Sequence, residues 1–77
     1  MEKLSRNSRV VAITKILMEN PNKIIGLNKF SELLNAAKST ISEDLLVVKN
    51  VFEKLELGRV ITISGAAGGV KYIPKTS

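Results

Sequence analysis

The 77 residues predict one small α+β domain, mainly helical, with a β-hairpin towards its C-terminus. Three observations carry that reading. Apolar residues recur at three- and four-residue spacing between Val10 and Leu55. After Gly58 the period changes to a short β-branched run, Val60-Ile61-Thr62-Ile63. A glycine-rich stretch, Gly65-Ala66-Ala67-Gly68-Gly69, then separates that run from a second one.

Taken in order, residues 1–7 are polar and read as a flexible arm. Ser8 is the candidate N-cap of a helix from Arg9 to Glu19, with Val10, Ile13, Ile16 and Leu17 on its apolar stripe and Val11 and Met18 widening it. Asn20-Pro21 ends it, because proline disfavours helical geometry in the residue before it. Lys23 to Leu27 reads as a short extended piece. Asn28 offers the next N-cap, and Phe30, Leu33 and Leu34 set a second helix running to about Ala37. Lys38-Ser39-Thr40 is the break before a third helix. Thr40 and Glu43 have capping-box spacing, Ser39 is the alternative cap, and Glu43 and Asp44 then fall in the first turn. Ile41, Leu45, Val48, Phe52 and Leu55 form its main stripe, beside Val47 and Val51, and Gly58 is the expected C′ residue. Arg59–Ser64 and Val70–Ile73 are the two strands of the hairpin, closed by Pro74 where no ladder bond is needed.

Composition narrows the function. Aromatics are only 4% of the chain against 44% hydrophobic residues, so the core must be aliphatic. Without cysteine or histidine there is no disulfide, no thiolate metal site and no imidazole base. No triad or metal-ligand cluster appears among the few acids, so no enzyme, cofactor or metal is expected. The run 65–71 resembles a phosphate cradle superficially. It lacks the Gly-Lys-Ser/Thr ending, and a strand rather than a helix follows it. No apolar run reaches membrane-spanning length, and no apolar stretch follows the early charges, so the expected compartment is the cytoplasm with no membrane partner.

The net charge of +5 is unevenly placed. Residues 1–15 carry four basic groups and one acid, residues 16–58 five and six, and residues 59–77 three and none. Such a distribution suits a polyanion if the fold brings the two ends together, and is otherwise an ordinary solubilising surface.

Helix, short strand, helix, tight turn, helix and hairpin is the order of a winged helix-turn-helix, three helices plus a two-stranded wing. The third helix would enter the major groove of double-stranded DNA with its N-terminal part. Ile41 would anchor it on the core, leaving Ser39, Thr40, Ser42 and Glu43 outward. Capping is the competing role for Ser39, Thr40 and Glu43, and Glu43 otherwise suits a cytosine amino group. Lys38 would lie near a phosphate, Arg6 and Arg9 at the start of the first helix, and Arg59 and Lys71 on the wing. Gly68 and Gly69, with Gly65, would let the wing tip approach a nucleic-acid backbone, or would simply satisfy the hairpin turn. Arg59→Ala and Lys71→Ala are each expected to lower the salt dependence of duplex binding.

Three segments together resemble a known family. They are Ser5-Arg6-Asn7-Ser8-Arg9-Val10, the run Ala36-Ala37-Lys38-Ser39-Thr40-Ile41-Ser42-Glu43-Asp44-Leu45, and, most distinctive, Gly65-Ala66-Ala67-Gly68-Gly69-Val70-Lys71-Tyr72-Ile73-Pro74-Lys75. They resemble the N-terminal winged-helix domain of the purine operon repressors of Gram-positive bacteria, over nearly the whole chain and in register. The resemblance implies a transcriptional regulator of purine genes, dimeric, with operators arranged as repeats. It also implies a second, phosphoribosyltransferase-like domain that binds phosphoribosyl pyrophosphate as effector and would begin where this chain stops. A module for dimerisation or protein contact, or the DNA-binding domain of another regulator, are the other readings.

Overall fold

Ser5 opens the first helix. In the computed structural model, which describes residues 4–65 and 68–75, the backbone of Ser5 is extended and its side chain accepts a hydrogen bond from the Ser8 N–H at 3.2 Å. Helix α1 therefore spans Arg6–Glu19, three residues earlier than expected. Ser8 is the residue whose N–H is capped, not the cap. Of the expected arm, residues 1–3 lie outside the described residues and Arg6 is helical. Asn20 ends α1 as expected, its N–H bonded to the Leu17 carbonyl and its side-chain amide to that of Ile16.

The middle of the chain is tighter than the sequence suggested. Strand β1 is Ile24–Ile25, and helix α2, Leu27–Leu34, starts from Gly26 rather than Asn28. It stops at Asn35, not Ala37, because Asn35 takes the left-handed conformation (φ 52°) that asparagine tolerates. Ser31 closes the turn: its hydroxyl donates to the Ala36 carbonyl at 2.6 Å, and its own carbonyl accepts the Ala36 N–H at 3.2 Å. With Ala36 and Ala37 held in this way, helix α3 begins at Lys38 and runs to Lys54. Its N-cap is Ala37, with no side-chain cap bond, so neither Ser39 nor Thr40 caps it, and Glu43 and Asp44 fall in its second turn.

At the other end of α3 the expected C′ glycine is displaced. Leu55 is the C-cap and Glu56 takes the left-handed conformation (φ 54°). The Glu56 N–H reaches Glu53 O at 3.2 Å and the Leu57 N–H reaches Phe52 O at 3.0 Å, the paired closing bonds of a Schellman turn. Gly58 serves the sheet instead. It begins strand β2, Gly58–Ile63, with φ 131°, where an added Cβ would sit 2.4 Å from the Ile73 carbonyl oxygen.

Strand β3, Gly69–Pro74, pairs antiparallel with β2 as the sequence required. The wing is not two-stranded, however. The extended piece predicted at 23–27 supplies a third strand, because β1 pairs with the other side of β3 (Ile24 opposite Lys71, Ile25 opposite Val70) and the sheet order is β1-β3-β2. The Asn22 N–H adds a bond to Tyr72 O at 2.7 Å.

One core joins all of this. Ile13 and Leu17 of α1, Phe30 and Leu34 of α2, and Ile41, Leu45, Val48 and Phe52 of α3 close over Val60, Val70 and Tyr72 of the sheet. Phe52 and Tyr72 meet edge to face with centroids 5.0 Å apart, and the Tyr72 hydroxyl donates to Leu57 O at 2.6 Å. Tyr72→Phe is expected to destabilise the domain by about 1–3 kcal/mol, measured by denaturant titration, because it strands the Leu57 carbonyl. Leu33 and Leu55 lie on the predicted stripes but stay exposed: Leu55 sits beyond the last turn that packs on the sheet.

Candidate nucleic-acid interface

Burial on α3 defines a free face by subtraction. Ile41, Leu45, Val48 and Phe52 point into the core. Ser39, Ser42, Glu43 and Leu46 stand at i, i+3, i+4 and i+7 and are all exposed, while Thr40 is half-buried on the flank. Because Ala37 provides no side-chain cap bond, Ser39, Thr40 and Glu43 are free of the capping roles that competed for them in the sequence. Lys38 is the first helical residue. The backbone N–H groups of this first turn have no side-chain acceptor, which makes the start of α3 a positive pole.

That pole opens into a groove of about 440 Å³. Gly26, Leu27 and Asn28 at the start of α2 form one wall, Lys38 another, and the wing residues 62–65 with Gly68 and Gly69 the third. The start of α2 likewise has no side-chain cap bond. Gly68 and Gly69 are demanded by close backbone approach: an added Cβ would lie 2.0 Å from Ile63 O in the first case and 2.2 Å from Ile25 O in the second. Gly65 supplies the positive φ (103°) of the turn, and Ala66 and Ala67 lie outside the described residues. A second groove of about 320 Å³ follows α3 on the same side, lined by Leu27, Ser42, Glu43, Leu45, Leu46, Lys49 and Thr62.

On the other flank α1 is bolted to α3 through charge. Asp44 has no exposed surface, and its two carboxylate oxygens are taken by Arg9, Oδ2 by Nε at 2.5 Å and Oδ1 by Nη2 at 3.3 Å. A third Arg9 nitrogen, Nη1, donates to Leu4 O at 2.6 Å. The hydrogen bond to Asp44 raises the Arg9 pKa above the ordinary guanidinium range, against the opposing effect of burial. The charge of Arg9 is therefore retained at every working pH. Stability from that shift would be lost only in extreme alkali, as pH rose through the folded-state pKa. Arg6 reaches both Asp44 (Nε to Oδ1, 3.5 Å) and Glu43 (Nη2 to Oε1, 3.7 Å), while remaining more than half exposed.

Sequence alone gives Asp44 only as an acid near a helix start. The signal for its true place was there: it lies three residues after Ile41 and four before Val48, on the flank of the buried stripe. Lys49 and Leu46, which line the second groove, are not singled out by motif or periodicity either. Of the expected wing cations, register places Arg59 and Lys71 on the sheet face turned away from Val60 and Tyr72. Lys71 is two residues from Gly69 at the tip. Arg59 pairs with Ile73 at the far end, four residues from Ile63 and so about 13 Å from the tip along the strand. Of the two basic ends, the N-terminal one thus reaches the second turn of α3 through Arg6 and Arg9, whereas the C-terminal one brings the wing tip, but none of Arg59, Lys71 and Lys75, into the groove beside Lys38. Arg59 is not brought together with Lys38, and Arg9 is held by Asp44.

Comparison with known proteins adds the family. Residues 5–74 match the family model described as bacterial purine repressor, N-terminal. The chain is 49% identical over 73 residues to the purine biosynthesis transcriptional repressor PurR of Bacillus subtilis, covering 95% of this chain and 26% of that protein. It is 45% identical over 75 residues to the probable purine biosynthesis transcriptional regulator PurR of Streptococcus pneumoniae, covering 97% and 27%. It is 44% identical over 71 residues to the purine biosynthesis transcriptional activator PurR of Lactococcus lactis, covering 92% and 26%. The chain spans about a quarter of the length of these relatives. They are regulators by name, in line with the expectation of a non-catalytic domain, and among the described residues no helix is long and apolar enough to cross a membrane. The match across nearly all of the chain and the three-helix, winged architecture lead to one assignment: this chain belongs to the bacterial purine repressor N-terminal family.

Proposed function

We propose that the chain binds double-stranded DNA sequence-specifically, as the DNA-binding domain of a transcriptional regulator of purine genes. The observation that supports this most is the uncapped, Lys38-bearing start of α3, with an exposed polar stripe behind it and the wing tip beside it. One α-helix fills a major groove about 12 Å wide, and free N–H groups at a helix start suit a phosphate. Ser39, Thr40 and Ser42 present short hydroxyls for close approach. Glu43 would be repelled by phosphates alone, but Arg6 lies 3.7 Å away and offsets that repulsion, leaving Glu43 to accept from a base amino group. Lys71 and the tip glycines, Gly68 and Gly69, serve as backbone contacts of the wing.

Whether binding represses or activates is not a property of this face, since relatives are named for both. The effector implied by the resemblance, phosphoribosyl pyrophosphate, is assigned no residue of this chain. Pairing of two copies has its own support: Val11 (67% exposed) and Met18 (45%) lie beside Val51 in an open apolar groove on α1, away from the polar stripe of α3. Sedimentation of wild type and Val11→Asp tests this, a dimer that the variant abolishes being the expected result.

The binding reading is tested by titrating the chain against AT-rich and control duplexes at two salt concentrations. Lys38→Ala is expected to weaken every duplex and to lower the slope of log K against log salt by about 1. Ser42→Ala is expected to change the preferred sequence more than the general affinity. Absence of duplex binding at low salt would refute the proposal.

A further inference from the structure

Leu46 is 64% exposed in the middle of a helix whose other face is fully buried. Among the described residues it belongs neither to the core nor to the hydrophobic residues packed against it. Its isobutyl group lies one turn beyond Ser42 on the same outward stripe and lines the second groove, between half-buried Leu27 and Lys49. The rise of about 1.5 Å per residue puts it some 6 Å along α3 from Ser42. The major groove displays one apolar group, the 5-methyl of thymine.

We propose that Leu46 is a specificity-determining residue that recognises thymine by contact with its 5-methyl group. The inference rests on the DNA-binding role proposed above and deepens it. Three features favour a base over a protein partner. Leu46 is continuous with Ser39, Ser42 and Glu43 rather than with the apolar face of α1. Its neighbour in the groove is a lysine, as a site beside phosphates requires. No second large exposed hydrophobic group of α3 lines this groove, so the apolar contact it offers is confined to Leu46 beside Leu27.

The test removes one methyl group at a time. Duplexes enriched from a random pool by this chain are resynthesised with each thymine replaced singly by 2′-deoxyuridine, and binding is measured for wild type, Leu46→Ala and Leu55→Ala. At one or two positions uracil is expected to weaken wild-type binding about fourfold, the effect of one buried methyl group. Leu46→Ala is expected to bind the thymine duplex more weakly by a similar factor and to treat thymine and uracil alike there. Leu55→Ala, equally exposed but at the far end of α3, keeps the discrimination. Being a surface change, Leu46→Ala should melt like wild type, which circular dichroism checks. Wild-type indifference to uracil at every position overturns the proposal, as does discrimination that survives in Leu46→Ala. A Leu46→Ala variant that alters the solution mass and leaves discrimination intact overturns it in favour of a protein contact. Failure of the underlying DNA-binding role looks different: no duplex is enriched at all.

Discussion

Arg9→Met is expected to lower the thermal midpoint more than Tyr72→Phe does, and adding Asp44→Leu to it is expected to recover part of the loss. The argument starts from Asp44, which has no exposed surface and relies on Arg9 for both of its oxygens. Removing the guanidinium leaves a buried carboxylate with only Arg6, at 3.5 Å, as a remaining cation. Breaking a buried pair from one side is more damaging than replacing both partners by apolar groups of similar shape, because the survivor keeps its desolvation penalty. The double variant should therefore be more stable than Arg9→Met alone. Thermal melts of the four-member cycle check this, and single-variant losses that simply add would contradict it. The same pair decides a functional point. With its donors engaged by Asp44 and Leu4, Arg9 holds α1 against α3 rather than offering a contact to phosphate. The double variant should keep the wild-type salt slope in duplex binding.

The helical pattern and the hairpin were legible because each rests on local period: 3.6 for Ile13, Leu17, Ile41, Leu45, Val48 and Phe52, and 2 for Val60 and Tyr72. Helix ends were less legible. Side chains able to cap occur at Ser5, Ser8, Asn28, Ser39 and Thr40, and tertiary packing selects among them; at two of the three helix starts it selects none, and Gly26 or Ala37 stands there instead. The third strand was half-legible. Ile24-Ile25 reads as extended, but its partner lies more than forty residues away, and nothing local specifies that pairing. The site divides in the same way. Lys38, Ser39, Ser42 and Glu43 follow from the phase of α3, whereas the Arg9–Asp44 pair, 35 residues apart, needs the packing of α1 on α3 before it exists. Total charge could not separate Lys38 from Arg59; strand register does.

That separation leads to the largest expected effect on binding. Lys38 and Lys49 line the two grooves beside the stripe of α3, and Lys71 lies two residues from the wing tip. Lys54, Arg59 and Lys75 lie at the opposite end, on the last turn of α3 and the open end of the hairpin. Replacing either set by alanine lowers the net charge of +5 by three, so any difference between the two variants reports placement rather than total charge. If each lysine of the first set neutralises one phosphate, its loss removes about 0.9 from the slope of log K against log salt. Losing all three lowers the slope by about 2.7 and weakens binding roughly several-hundredfold at 0.1 M salt. The second set should leave the slope within experimental error of wild type, with a small uniform loss from the weaker long-range field. Both variants alter side chains that are exposed or half-buried, so both should fold, and melting curves verify that first. Equal losses from the two sets would mean that the chain binds DNA as a diffuse cation, and would remove the case for α3 and the wing tip as the reading face.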